Sequence, residues 1–118
     1  MNRISRYFTR EEVACKCGCG EHVIDVEVMM VADRVREFYG RPIVPSSAVR
    51  CKHHNKALGG SENRWHTKSK AIDLPVDNPI LIYDYLDLLY PDKYGIGLYK
   101  SFLHIDTRPT KARWGVIS

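Results

Sequence analysis

The sequence predicts an α+β fold: one domain, with about three helices and a small, mostly antiparallel sheet. Three observations predict it. The length of 118 residues fits one domain and leaves no room for two. Hydrophobic residues make up 44% and charged residues 27%, the balance of an ordinary globular chain that can bury a core. Helix signals come first and a hairpin comes last, an order that segregates the two classes.

Thr9-Arg10-Glu11-Glu12 is a capping-box pattern and opens a short helix through Ala14, with Phe8 and Val13 placed to staple its start. Cys17-Gly18-Cys19-Gly20 then reads as a turn or loop. Asp25 stands as N-cap of the main helix. Val28, Val31, Ala32, Val35, Phe38 and Tyr39 share one face of it, and Gly40 and Pro42 end it. Ile43 to Arg50 is extended, interrupted by Pro45, and suits an edge strand or one with an irregular start. Lys52 to Asn63 is polar, contains Gly59-Gly60, and reads as a loop. Ala71 to Val76 is a short strand. Asn78 caps a third helix with Pro79 at its first position and Ile82, Leu86 and Leu89 on its buried face; Pro91 ends it. Gly95 to Tyr99 and Phe102 to Thr107 form a hairpin about Lys100-Ser101. Trp114 is assigned to the core.

The formal net charge of +4 is a mild basic bias with no run of Lys or Arg, which argues against nucleic acid and suits an anionic polymer. No stretch approaches the ~20 apolar residues of a membrane span. The segment Met1 to Phe8 has charge but no apolar core, so no signal peptide is expected, and the chain is expected to be made in the cytoplasm. Three of the four cysteines crowd into Cys15-Lys16-Cys17-Gly18-Cys19, with Cys51 apart. That spacing is not a zinc-ribbon knuckle; disulfides, a metal site and simple thiols all stay open, with reduced thiols the default.

Two of the five histidines stand in telling places. His66 precedes Asp73 by seven residues, so a loop histidine and a strand aspartate can converge. His104 lies mid-strand with Asp106 on its face by the period-two rule. Two histidines and a carboxylate suit a catalytic zinc, because three protein ligands leave the fourth position to water.

From Tyr7-Phe8-Thr9-Arg10-Glu11-Glu12 to Arg113-Trp114, the chain resembles the small zinc D-Ala-D-Ala carboxypeptidases and murein endopeptidases. Their fold is shared with lysostaphin-type enzymes and the hedgehog signalling domain. The resemblance rests on Phe8 and Glu12 followed by Cys17-Gly18-Cys19-Gly20, on Ser47-Ala48-Val49-Arg50 with Asn55 and Gly59-Gly60, on His66 with Asp73, and on Gly95-Ile96-Gly97-Leu98-Tyr99 leading to His104-Ile105-Asp106. It implies one peptidase domain over residues 1–118 and one zinc ion per chain on His66, Asp73 and His104. It also implies Arg50 as the arginine that grips the peptide near the scissile bond, which its planar fork suits. The implied substrate is a stem or cross-link peptide of peptidoglycan, reached after delivery to the cell wall, as by a phage lysis system. A monomer is expected.

The family's usual base, a His or Glu two or three residues before the last zinc histidine, is replaced here by Phe102 and Ser101. Asp106 is the nearest carboxylate, read as the catalytic base or as a hydrogen-bond partner of His104. Arg64 and Ser69 stand where the family has Ser and Gly, which bears on the loop and the substrate. Trp65 is placed as a wall of the pocket. His53 is placed as a substrate contact beside Arg50, against the plainer reading of His53 and His54 as solvated loop residues; His22 reads as surface. Two alternatives stand: a zinc-bearing but inactive binding module of the same fold, and a thiol-based zinc module built on the cysteines.

Overall fold

The computed structural model describes residues 3–15, 24–49 and 70–115. Among these, three helices and four strands form an α+β arrangement: α1 (Arg10–Val13), α2 (Val26–Tyr39), β1 (Ala71–Pro75), α3 (Pro79–Leu89), β2 (Gly95–Leu98), β3 (Phe102–Asp106) and β4 (Ala112–Gly115). Helix α1 starts with the predicted capping box. The Thr9 amide donates to Glu12 Oε1 at 2.8 Å, and the Glu12 amide donates to Thr9 Oγ1 at 3.3 Å. Helix α2 ends at Gly40, whose φ of 77° is open to glycine without strain.

The sheet is mixed, in the order β1-β3-β2-β4. β3 lies antiparallel between β1 and β2, as the hairpin signal predicts, and β4 adds to β2 in parallel. One face packs against α2 and α3. Ile72, Leu74, Ile96, Leu98, Leu103 and Ile105 point there and join Val28, Val31, Val35, Ile82 and Leu86 in one core. Full burial of each such side chain is worth roughly 1.5–3 kcal/mol, so this layer contact dominates the stability. The period of two then turns Asp73, Gly95, Gly97, His104 and Asp106 to the opposite face.

Four expectations need correction. The strand expected over residues 43–50 is not formed in its described part: a single bridge joins Ser47 to Asp73. Pro45 removes a donor, and the amides of Ser46 and Asp73 bond across, to Asp73 and Ser47 carbonyls at 3.0 and 2.7 Å. Leu89 is exposed rather than part of the buried face of α3, because the helix unwinds there. Phe38 is also exposed, stacked flat on Tyr85 of α3 at 4.1 Å between centroids. Trp114 is not in the core; it lies on β4, on the open face of the sheet, only partly buried.

Parallel addition of β4 needs an anchor, because it lacks a tight turn to its partner. Arg113 supplies it. Its guanidinium donates to the carbonyls of Tyr94 and Tyr90, each at 2.6 Å, and to Asp87 Oδ1 at 2.7 Å. These bonds tie β4 to the last turn of α3 and to the connection between α3 and β2.

Candidate active site

The register of the sheet lines up the chemistry. One row across it reads Asp73, His104, Gly97, Trp114; the next reads Ala71, Asp106, Gly95, Ala112. Asp73 and His104 are therefore cross-strand neighbours on the open face, and His104 and Asp106 are neighbours along β3.

The His104 ring is held at both nitrogens. Nδ1 lies 2.9 Å from Asp73 Oδ1, and Nε2 lies 2.8 Å from Asp106 Oδ2. Asp106 is fully buried, whereas the side chains of Asp73 and His104 keep 13% and 14% of their surface exposed, so the reachable edge of the ring is the one facing Asp73. Arg108 closes on Asp106 from behind, with Nε 2.7 Å from Oδ1 and Nη2 2.8 Å from Oδ2. Burial lowers the affinity of the His104 imidazole for a proton, but the carboxylates of Asp106 and Asp73 outweigh it and raise its pKa above the ordinary histidine value. Burial also raises the Asp106 carboxyl, yet His104 and Arg108 outweigh it and hold Asp106 well below the usual carboxylate range.

An aromatic wall stands beside this row. Trp114 packs against the His104 ring with centroids 5.3 Å apart. Its indole N–H donates to the Tyr99 hydroxyl at 3.1 Å, and Tyr99 stacks on Phe102 at 4.4 Å. Tyr99 thus belongs to the wall of the site.

The glycines of β2 make room for these groups. A Cβ on Gly97 would lie 2.6 Å from the Trp114 indole, and one on Gly95 would lie 2.4 Å from Asp106 Oδ1 and 2.7 Å from Arg108 Nε. Forcing a methyl into such a contact typically costs about 1–3 kcal/mol. Gly95→Ala and Gly97→Ala are both expected to lower the thermal midpoint. Gly97→Ala is expected in addition to shift Trp114 fluorescence, because the indole itself must move. Unchanged melting in both variants would count against the packing described here.

Of the residues singled out in the sequence, Asp73, His104 and Asp106 come together. Arg50, His53, Trp65 and His66 lie outside the described residues, as do His22, His54, Cys17, Cys19 and Cys51. Cys15 is buried. Among the described residues no group of three or more His, Cys, Asp or Glu is arranged to hold a metal ion. Asp73 and Asp106 sit at opposite nitrogens of one ring and so form a line, and His66, the third expected ligand, lies outside the described residues. Arg108 was not anticipated, although His104, Asp106 and Arg108 alternate at the spacing of one strand face.

The helix-backed sheet thus carries an aspartate–histidine pair on its open face. A family model described as Peptidase M15 matches residues 6–106, and the chain belongs to that peptidase family. Among curated proteins nothing matches it. Among the described residues no helix is long and apolar enough to cross a membrane.

Proposed function

We propose that this chain is a zinc peptidase that hydrolyses a peptide bond in the stem or cross-link peptides of peptidoglycan, of the D-Ala-D-Ala carboxypeptidase or murein endopeptidase type. The observation that carries the reading is the Asp73–His104 pair on the open sheet face of an M15 chain. His66, Asp73 and His104 would hold one zinc ion. The donors on the page fit it: two ligands at zinc distances and a tetrahedral angle stand about 3.4 Å apart. Asp73 Oδ1 and His104 Nδ1, at 2.9 Å, need separate by only about half an ångström. When bound, zinc would supply hydroxide near neutral pH and polarise the scissile carbonyl.

The residues of the chain take the following parts in this reading. His104 presents Nδ1 to the shared point with Asp73, while Nε2 donates to Asp106. An ionised carboxylate has about four lone-pair sites. Those of Asp106 are met by His104 Nε2 and by the Nε, Nη2 and backbone N–H of Arg108, the last at 3.3 Å. Of the two roles considered for Asp106, this geometry supports the partner that orients His104 over the base. His53 and His54, near Arg50 in sequence, are then the side chains proposed for proton transfer. Arg50 grips a carboxylate or carbonyl of the peptide, and Trp65 walls the pocket.

The direct test is digestion of purified peptidoglycan with mass spectrometry of the fragments. Released D-alanine marks a carboxypeptidase, and cleaved cross-links mark an endopeptidase. No new fragment from the zinc-loaded protein favours the inactive binding module, a reading kept open by the full engagement of Asp106. Delivery to the wall by a phage lysis system and a monomeric state complete the proposal; sizing by light scattering checks the latter.

Arg50→Lys is expected to keep the fold and the zinc but to lose about 10–100-fold in turnover, the value of a hydrogen bond to a charged group. Lysine is a point charge and offers no parallel pair of donors. Unchanged turnover would remove Arg50 from substrate binding.

A further inference from the structure

β3 ends at Asp106, but its alternation of polar side chains continues to Arg108, whose guanidinium turns back onto the strand. The contact is a two-point fork, Nε to Oδ1 at 2.7 Å and Nη2 to Oδ2 at 2.8 Å, with the Arg108 amide adding a third bond to Oδ1 at 3.3 Å. Oδ2, so fixed, is also the atom that accepts from His104 Nε2. The carboxylate therefore cannot rotate toward or away from the imidazole without breaking the fork.

Arg108 also touches the second neighbour of the ring. Its guanidinium carbon stands 5.2 Å from the centre of the Trp114 ring, and Trp114 packs against His104. The same residue thus braces both groups that hold the imidazole, one by hydrogen bonds and one by stacking. β2 is shaped around it: the missing side chain of Gly95 is the space that Asp106 and Arg108 Nε fill, and that of Gly97 is the space under Trp114. Gly95-Ile96-Gly97 is the seat of this assembly.

We propose that Arg108 is a positioning residue for His104: by locking Asp106 and backing Trp114, it fixes the imidazole with Nε2 as donor and Nδ1 facing Asp73. As far as it concerns zinc, this rests on the reading of Asp73 and His104 as ligands of one ion. Loss of a group that orients a metal-binding histidine typically costs 10–100-fold in metal affinity.

The test uses the full chain, its Arg108→Ala and Arg108→Lys variants, and zinc itself as the probe. Zinc affinity is measured by chelator competition. Proton NMR of the zinc-loaded protein follows the exchangeable ring N–H of His104, assigned by its nuclear Overhauser contacts within the His104 ring and to Trp114. In the wild type this resonance is expected to be sharp and slow to exchange, because Asp106 accepts it in a buried place. In Arg108→Ala zinc affinity is expected to fall about 10–100-fold and the resonance to broaden. Arg108→Lys, which keeps charge but not the fork, is expected to fall between the two. It also carries the test should the alanine variant not fold, as judged by circular dichroism. Affinity within twofold of the wild type with an unaltered ring N–H, in whichever variant folds, overturns the proposal.

A wild type that binds no zinc fails the ligand reading and leaves the positioning role measurable. In that event contacts between the His104 and Trp114 rings, seen as nuclear Overhauser effects in the metal-free chain, are expected to weaken in Arg108→Ala. Contacts of unchanged strength would overturn the role there too.

Discussion

Asp73→Ala and His104→Ala are each expected to remove stoichiometric zinc and to reduce turnover on peptidoglycan to background, and His66→Ala to do the same. The two described residues are cross-strand neighbours whose reactive atoms meet at 2.9 Å, so deleting either removes one of the two donors that converge there. Two protein ligands fall short of the three that a catalytic zinc uses. The fold should survive both changes. Asp73 keeps its backbone bonds to Ser46 and Ser47, which its side chain does not make. In His104→Ala the Asp106–Arg108 pair loses one partner but keeps its fork. His22→Ala, at a residue with no proposed role, serves as the control. Metal analysis after each change, with circular dichroism on the same samples, checks the expectation. A full equivalent of zinc in all three variants would sink the assignment.

What could be read from the sequence was whatever has a local signature. The capping box at Thr9 and Glu12, the Gly40 stop of α2, and the Lys100-Ser101 hairpin are each encoded within a few residues, and each is formed. The shared face of His104 and Asp106 follows from strand alternation alone. Pairing partners and edges are a different matter. β4 has four residues, Ala112 to Gly115, and the alternation of Ala112, Arg113 and Trp114 is too short a run to announce a strand. Its parallel pairing to β2 depends on Arg113 reaching carbonyls some twenty residues away. Without β4, Trp114 looked like a core aromatic near the end of the chain. Only the register Gly97↔Trp114 shows that it lies beside the candidate ligand. The same register explains why β2 carries glycine at both positions facing the site. For Asp106, sequence could offer a carboxylate near a ligand but not the number of donors already on it, and that number separates a base from a brace.

Asp106→Asn is the sharpest test of that separation. Asparagine matches aspartate in shape but has one acceptor oxygen and one amide that can only donate. With the oxygen toward Arg108 Nε, the amide points its protons at His104 Nε2–H and Arg108 Nη2; flipped, it points them at Arg108 Nε. Either way donors face donors where four bonds were made. Removing the charge also strands Arg108. Breaking a buried ion pair on one side costs about 3–5 kcal/mol, and the lower end applies because 24% of the Arg108 side chain is open to water. A loss of about 3 kcal/mol corresponds to a melting point lower by roughly 12 °C in a domain of this size. The stability that ionised Asp106 brings belongs to the pH range above the ordinary carboxylate pKa. It fades as pH falls toward the lower pKa of the folded state, so the gap between wild type and variant should narrow in acid. Zinc affinity should fall about 10–100-fold, because His104 loses its fixed partner. The discriminating measurement is turnover with zinc raised to saturation. If Asp106 braces His104, turnover should return to within about tenfold of the wild type, since the remaining loss is one of ligand orientation. If Asp106 is the base, turnover should stay about 10²–10⁴ lower with zinc fully bound, and the assignment of Asp106 as a brace would be withdrawn.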